Sequence, residues 1–151
     1  MAQANIDVLT IGNAIVDVIA RVDDAFVEKN GLVKGSMNLI DEARAEELYN
    51  SMGPAIEISG GSAGNTAAGV ASFGGKAAYF GKVKADQLGG IFRHDMRAQG
   101  VQFDSVAATS GPATARSFIL VTPEGERTMN TYLGACVHLN EIDVDENIVS
   151  A

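Results

Sequence analysis

The sequence predicts an α/β fold: a largely parallel sheet flanked by helices, with a second, small β-sheet. Three observations carry this. Short β-branched runs alternate with helical segments that stop at glycine. A second set of strand segments breaks that alternation and reads as a separate small sheet. The 151 residues are 46 % hydrophobic and 20 % charged, the composition and length of one ordinary folded domain.

The elements follow in chain order. Ile6–Ile11 is rich in β-branched residues and ends at Gly12, which marks a buried strand. Ala14–Val22 is a second such run with Asp17 set inside it, and a short strand follows at 36–40. Asp41 can cap a helix that runs to Gly53-Pro54. Ser62 can cap a second helix that ends at Gly74-Gly75, and a third covers Leu88–Gln99 and stops at Gly100. Strands fit between the helices at Ala55–Ser59, Ala77–Val83 and Val101–Val106. Ser117–Thr122, the turn Pro123-Glu124-Gly125-Glu126 and Arg127–Leu133 read as a β-hairpin. Asn140–Val149 looks like the opening of another helix, after which a parallel sheet would continue. The expectation is therefore the first half of a longer protein. Its core would comprise 5–12, 41–114 and 134–151, and its small second sheet 14–22, 36–40 and 115–133.

Composition excludes several functions. No apolar run approaches the roughly 20 residues that span a bilayer, so no membrane role is expected. Met1–Asn5 lacks the basic and apolar regions of a secretory signal. The single cysteine, Cys136, rules out an internal disulfide framework and suits a reducing cytoplasm. A net charge of −8 opposes binding to nucleic acid. The acidic residues are unevenly placed, however. None lies between Ser59 and Ala85, where Lys76, Lys82 and Lys84 sit and glycine is dense.

The strongest local motif is Ser59-Gly60-Gly61-Ser62-Ala63-Gly64-Asn65, a strand that ends in two glycines and turns at once into a helix. Absent Cβ atoms let a ligand approach the backbone. The free N–H groups of a helix start suit ligand oxygens. Asn65 on the first turn could both donate and accept. The same residues also fit a tight strand–helix connection with no ligand. Gly12-Asn13-Ala14-Ile15-Val16-Asp17 is the second motif. A carboxylate inside an apolar strand needs partners, and two adjacent sugar hydroxyls are apt ones; an edge aspartate facing water is the alternative. Neither a Walker-type nor a dinucleotide-binding glycine pattern occurs, nor a Gly-x-Ser-x-Gly elbow. His94 and His138 lack ligand spacing, so no metal site is expected.

Together these pieces resemble the ribokinase (PfkB) family of sugar and nucleoside kinases. The matching segments include Phe73–Val83, Asp86–Phe92, Gln99-Gly100-Val101 and a hairpin ending in Leu133-Gly134-Ala135. They run in order from about Val8 to Ala135, and Gly125–Asn130 with the form of the Asn13 motif looks most like the adenosine-kinase-like branch. The resemblance implies a ribokinase-like fold with a small β-sheet lid drawn from the segments 14–22, 36–40 and 115–133. It also implies an acceptor hydroxymethyl group, and ATP with Mg2+ as phosphoryl donor. Carried over by position, Asp17 would hold ribose hydroxyls with Asn13 beside it. Gly60, Gly61 and Asn65 would line the sugar, with Asn38 also on the substrate side. Ile15, Arg127 and Met129 would belong to the lid or base pocket. The family's catalytic aspartate and its ATP-binding elements lie in a C-terminal motif that this chain lacks. No catalytic residue is therefore expected here, and the 151 residues alone would be inactive. Adenosine is the favoured substrate; a ribose or fructose kinase and a non-catalytic sugar-binding module are the alternatives. The resemblance leaves open a monomer or a lid-mediated dimer.

Overall fold

The computed structural model describes residues 6–150. The N-terminal pentapeptide read for a signal, and the core bounds at 5 and 151, lie outside them.

Two sheets organise the chain. The first is a parallel three-stranded sheet of β1 (Val8–Ile11), β5 (Ala77–Phe80) and β6 (Val101–Gln102), with β5 in the centre. All four residues of β5 are buried, as expected for a parallel strand covered on both faces. Helices α3 (Ser62–Ser72) and α4 (Gln87–Ala98) pack against this region. Phe92 and Met96 lie four residues apart and so project from one face of α4; both are buried. Phe92 meets Tyr79 and Phe103 at ring-centroid distances of 5.8 and 5.3 Å, and Tyr79 meets Phe103 at 5.6 Å. Phe92 and Met96 also approach helix α3 at Gly64, where a Cβ would stand in ordinary contact at 3.8–3.9 Å.

The second sheet has five strands in the order β3-β8-β7-β2-β4. They are β2 (Ile15–Arg21), β3 (Met37–Leu39), β4 (Ile56–Gly60), β7 (Ala115–Val121) and β8 (Arg127–Tyr132). Strands β7 and β8 form the expected antiparallel hairpin, while β2 lies parallel to β7. Buried Val16, Val18, Phe118 and Leu120 point to the back of this sheet, where α2 (Glu42–Ser51) buries Ala45 and Leu48. The Asp41 side chain caps α2 by accepting from the Arg44 N–H at 2.8 Å. A short helix, α1 (Asp24–Lys29), precedes β3.

Three expectations need correction. Strand β4 alternates with helices in sequence but does not join the parallel sheet; it pairs antiparallel with β2 at the edge of the lid. Its Ile56-Glu57-Ile58 pattern fixes a strand but carries no information about which sheet it enters. The helix cap at α3 is Gly61, with no side-chain cap bond, and Ser62 is the first helical residue. The C-terminal segment forms a one-turn 3-10 helix, Glu141–Asp143, and a four-residue helix, α5 (Glu146–Val149), instead of one long helix.

The chain crosses between the two sheets three times and leaves the second sheet once more after β8, and these passages touch. Gly61, at φ 83°, leaves no room for a Cβ, which would stand 2.5 Å from the Asn13 carbonyl oxygen. The Ala135 N–H donates to the Ala113 carbonyl at 2.8 Å. The Thr114 N–H and hydroxyl both donate to the Asp86 carboxylate, at 2.9 and 2.6 Å, which ties the root of β7 to the start of α4.

Candidate active site

The site residues gather where β1 leaves the core sheet for β2 and where β4 returns into α3. The Tyr79 hydroxyl donates to the Gly12 carbonyl at 2.8 Å and pins the end of β1. A Cβ on Gly12 would stand 2.8 Å from that of Ala63, so the first turn of α3 packs directly on this bend. Exposed Asn13 follows. Asn65 lies on that first turn, and its N–H donates to the Gly61 carbonyl at 2.8 Å. Because α3 has no side-chain cap, its early N–H groups remain available to a ligand.

Strand alternation places Asp17 on the front of the lid, opposite the face that buries Val16 and Val18. Its carboxylate fills the place where a side chain on Gly60 would stand; only glycine fits there. Burial pushes the Asp17 carboxyl up to about 6, and no hydrogen bond or cation counters the shift. Above that value the carboxylate is charged, half-buried and without a donor among the described residues, so hydroxyl donors from a ligand would satisfy it.

Across the sheet, the row containing Asp17 runs from Ile58 through Asp17 and Ser117 to Thr131 and Leu39. The Ser117 and Thr131 hydroxyls share a hydrogen bond of 2.8 Å. The next row is apolar: Ile56, Ile19, Ile119, Met129 and Met37.

Of the expected residues, the structure brings together Asn13, Asp17, Gly60, Gly61 and Asn65. Ile15 and Met129 share the front face with Asp17. Arg127 lies on that face too, but two rows away beside Val121, roughly 13 Å along the strand. Asn38 does not join the group. It pairs with buried Asn130, which pairs with Phe118, so it faces the back of the lid, and its amide donates to the Ser36 hydroxyl at 2.8 Å. Met37 and Leu39 take the front positions instead. Ser117 and Thr131 were missed because isolated hydroxyl residues are common in strands. Counting outward from the turn pairs Val121 with Arg127, and hence Ser117 with Thr131, so their juxtaposition was available.

Behind the lid, a cavity of about 210 Å³ lies among Glu46, Tyr49, Glu57, Asp86 and Arg116; strand alternation separates it from Asp17. Among the described residues no group of three or more His, Cys, Asp or Glu side chains could hold a metal ion. No helix among them is long and apolar enough to cross a membrane.

Known proteins share this fold. An adenosine kinase from Sinorhizobium meliloti is 67 % identical, with a TM-score of 0.88 over 97 % of this chain and 45 % of its own. A probable sugar kinase from Rhizobium etli is 61 % identical, with a TM-score of 0.89 over 98 % of this chain and 45 % of its own. A probable chloroplastic fructokinase-6 of Arabidopsis thaliana is 33 % identical over 92 residues, 60 % of this chain and 24 % of that protein. The chain thus spans less than half the length of the proteins it matches. The ribokinase-like fold is common to these structural neighbours, and the family model for pfkB carbohydrate kinases matches residues 5–150. On the strength of that match over nearly its whole length, the chain belongs to the pfkB family of carbohydrate kinases.

Proposed function

We propose that this chain is the substrate-binding portion of a kinase that phosphorylates the hydroxymethyl group of a nucleoside, with adenosine favoured. The observation that carries this reading is Asp17. Its carboxylate stands over Gly60 beside a largely apolar row of the same face, and burial without a partner among the described residues pushes it up to about 6. It can accept from two neighbouring hydroxyls at once, and such charge-assisted bonds are the strong ones. The Asn13 amide adds a donor and an acceptor beside it. The missing Cβ of Gly60 and the uncapped start of α3 leave room and N–H groups for the sugar. Ile19, Ile119 and Met129 form an apolar shelf in the row beyond Asp17, with Ile15 in the row on its other side. Apolar surface of this kind suits a heterocyclic base better than a second polar sugar.

Mg·ATP, which the family implies, would supply the phosphoryl group. The described residues contain neither a Walker-type loop nor a three-ligand metal cluster, so no residue here is assigned to it and no step is routed through it. This chain's contribution is to bind and orient the acceptor. A sugar kinase is the second reading, favoured by relatives named fructokinase at 31–34 % identity.

Calorimetric titration of the protein that carries this chain with adenosine, ribose and fructose tests the proposal. Adenosine should bind tightest. Its affinity should be flat above about pH 7 and fall toward tenfold per pH unit below about 6, as Asp17 takes up a proton. Equal affinity for adenosine and ribose would overturn the nucleoside assignment.

A further inference from the structure

We propose that the hydrogen-bonded hydroxyls of Ser117 and Thr131 read the polar edge of the base, and so set specificity among nucleosides. The inference rests on the nucleoside reading above and concerns the part of the ligand that Asp17 does not touch. Both residues are nearly buried, at 6 % and 7 % exposure, yet each makes only the one side-chain bond to the other. Two hydroxyls carry two donors and four lone pairs. One donor is spent between them, which leaves one O–H and several acceptor sites pointing from the front face. Apart from Asp17, their neighbours on that face are apolar: Leu39 ends their row, and Ile119 and Met129 lie in the next. Spare polar capacity at the floor of an apolar shelf is costly unless something completes it.

Position favours the base as that partner. Ser117 is one strand from Asp17 and Thr131 two, or about 5 and 10 Å across the sheet. On the other side of Asp17 only β4 remains before the sheet ends. A ribose held through its hydroxyls at Asp17 therefore has its base over β7 and β8. Either hydroxyl can be the donor in the shared bond, so the pair presents a donor beside an acceptor in either order. That matches a ring nitrogen next to an exocyclic amino or oxo group, and offers nothing to a base whose edge lacks that substituent.

The test compares kcat/KM for adenosine and for purine riboside, which lacks the 6-amino group, in the protein that carries this chain. The unaltered protein should favour adenosine by about tenfold. Thr131→Val, which keeps the side-chain shape, and Ser117→Ala should each pull that ratio toward one, mainly through KM for adenosine. Thr131→Ser, which keeps the hydroxyl, should restore most of the preference. A ratio that stays at its original value in both Thr131→Val and Ser117→Ala overturns the inference. If the unaltered protein phosphorylates ribose or fructose but neither nucleoside, the nucleoside reading itself fails, and this inference falls with it at that earlier step.

Discussion

The two sheets bury their residues in different ways. In the parallel sheet every side chain of β5 is enclosed, and the Tyr79–Phe92–Phe103 cluster fills the space beneath α4. In the lid, β2 alternates: Val16 and Val18 are buried behind, while Ile15, Asp17 and Ile19 stand half-covered in front. Met37, Leu39 and Ile56 of the same face are about 60 % exposed. Close packing on both sides leaves β5 nothing to do but hold its shape. A sheet covered on one side keeps a second face on which ligand chemistry can be placed.

Substitutions can break or sharpen that contrast, and the core should give the largest effect. Phe92→Ala removes a fully buried ring that touches two others and should cost about 3–5 kcal/mol of stability, read as a lowered denaturant midpoint. Affinity for adenosine in the fraction that remains folded should change little. Gly60→Ala acts at the border of the two regions. The added methyl collides with the Asp17 carboxylate, so adenosine affinity should fall about 10–100-fold, at a stability cost of about 1–3 kcal/mol. Titration calorimetry paired with denaturant melts separates the two effects.

Asp17→Asn should abolish substrate affinity and yet stabilise the fold. The folded carboxyl sits at about 6, above its unfolded value of about 3.9. The fold thus favours the protonated acid: this contribution is fully present below pH 4 and is lost as pH rises through 6. The amide avoids that loss. The variant should be more stable by about 1–2 kcal/mol at pH 7.5, allowing for the side chain's partial contact with water, and equal to the unaltered protein near pH 4. Melting curves at the two pH values read this directly, and a variant less stable at pH 7.5 would contradict it. The smallest effect belongs to Asn38→Ala, on the back of the lid, which should alter adenosine affinity less than twofold and stability by under about 0.5 kcal/mol.

Local chemistry made much of this readable in advance. Asp41 stands one residue before its helix, the Pro123–Glu126 turn closes the hairpin, and Asp17 announces itself as a charge inside an apolar run. Pairing partners were harder. Glu57 and its neighbours look the same whether β4 lies between helices or at the lid edge, because sheet membership is set by distant contacts. The facing of Asn38 depends on a one-residue register that a three-residue strand does not reveal. Ser117 and Thr131 gain their character only from Asp17 across the row.

The touching crossings at Asn13, Gly61, Ala113 and Ala135 also act as a fulcrum. Displacement about a fulcrum grows with distance from it. Asp17 lies two residues beyond Ile15 and Arg127 level with Arg21, at about 7 and 20 Å along the strands. A tilt of about 10° would carry the hairpin tip some 3.5 Å but Asp17 only about 1 Å. Under such a tilt the sugar site proposed at Asp17 is geared down relative to the sweep of the tip, and a ligand there would shift less than the outer strands above it.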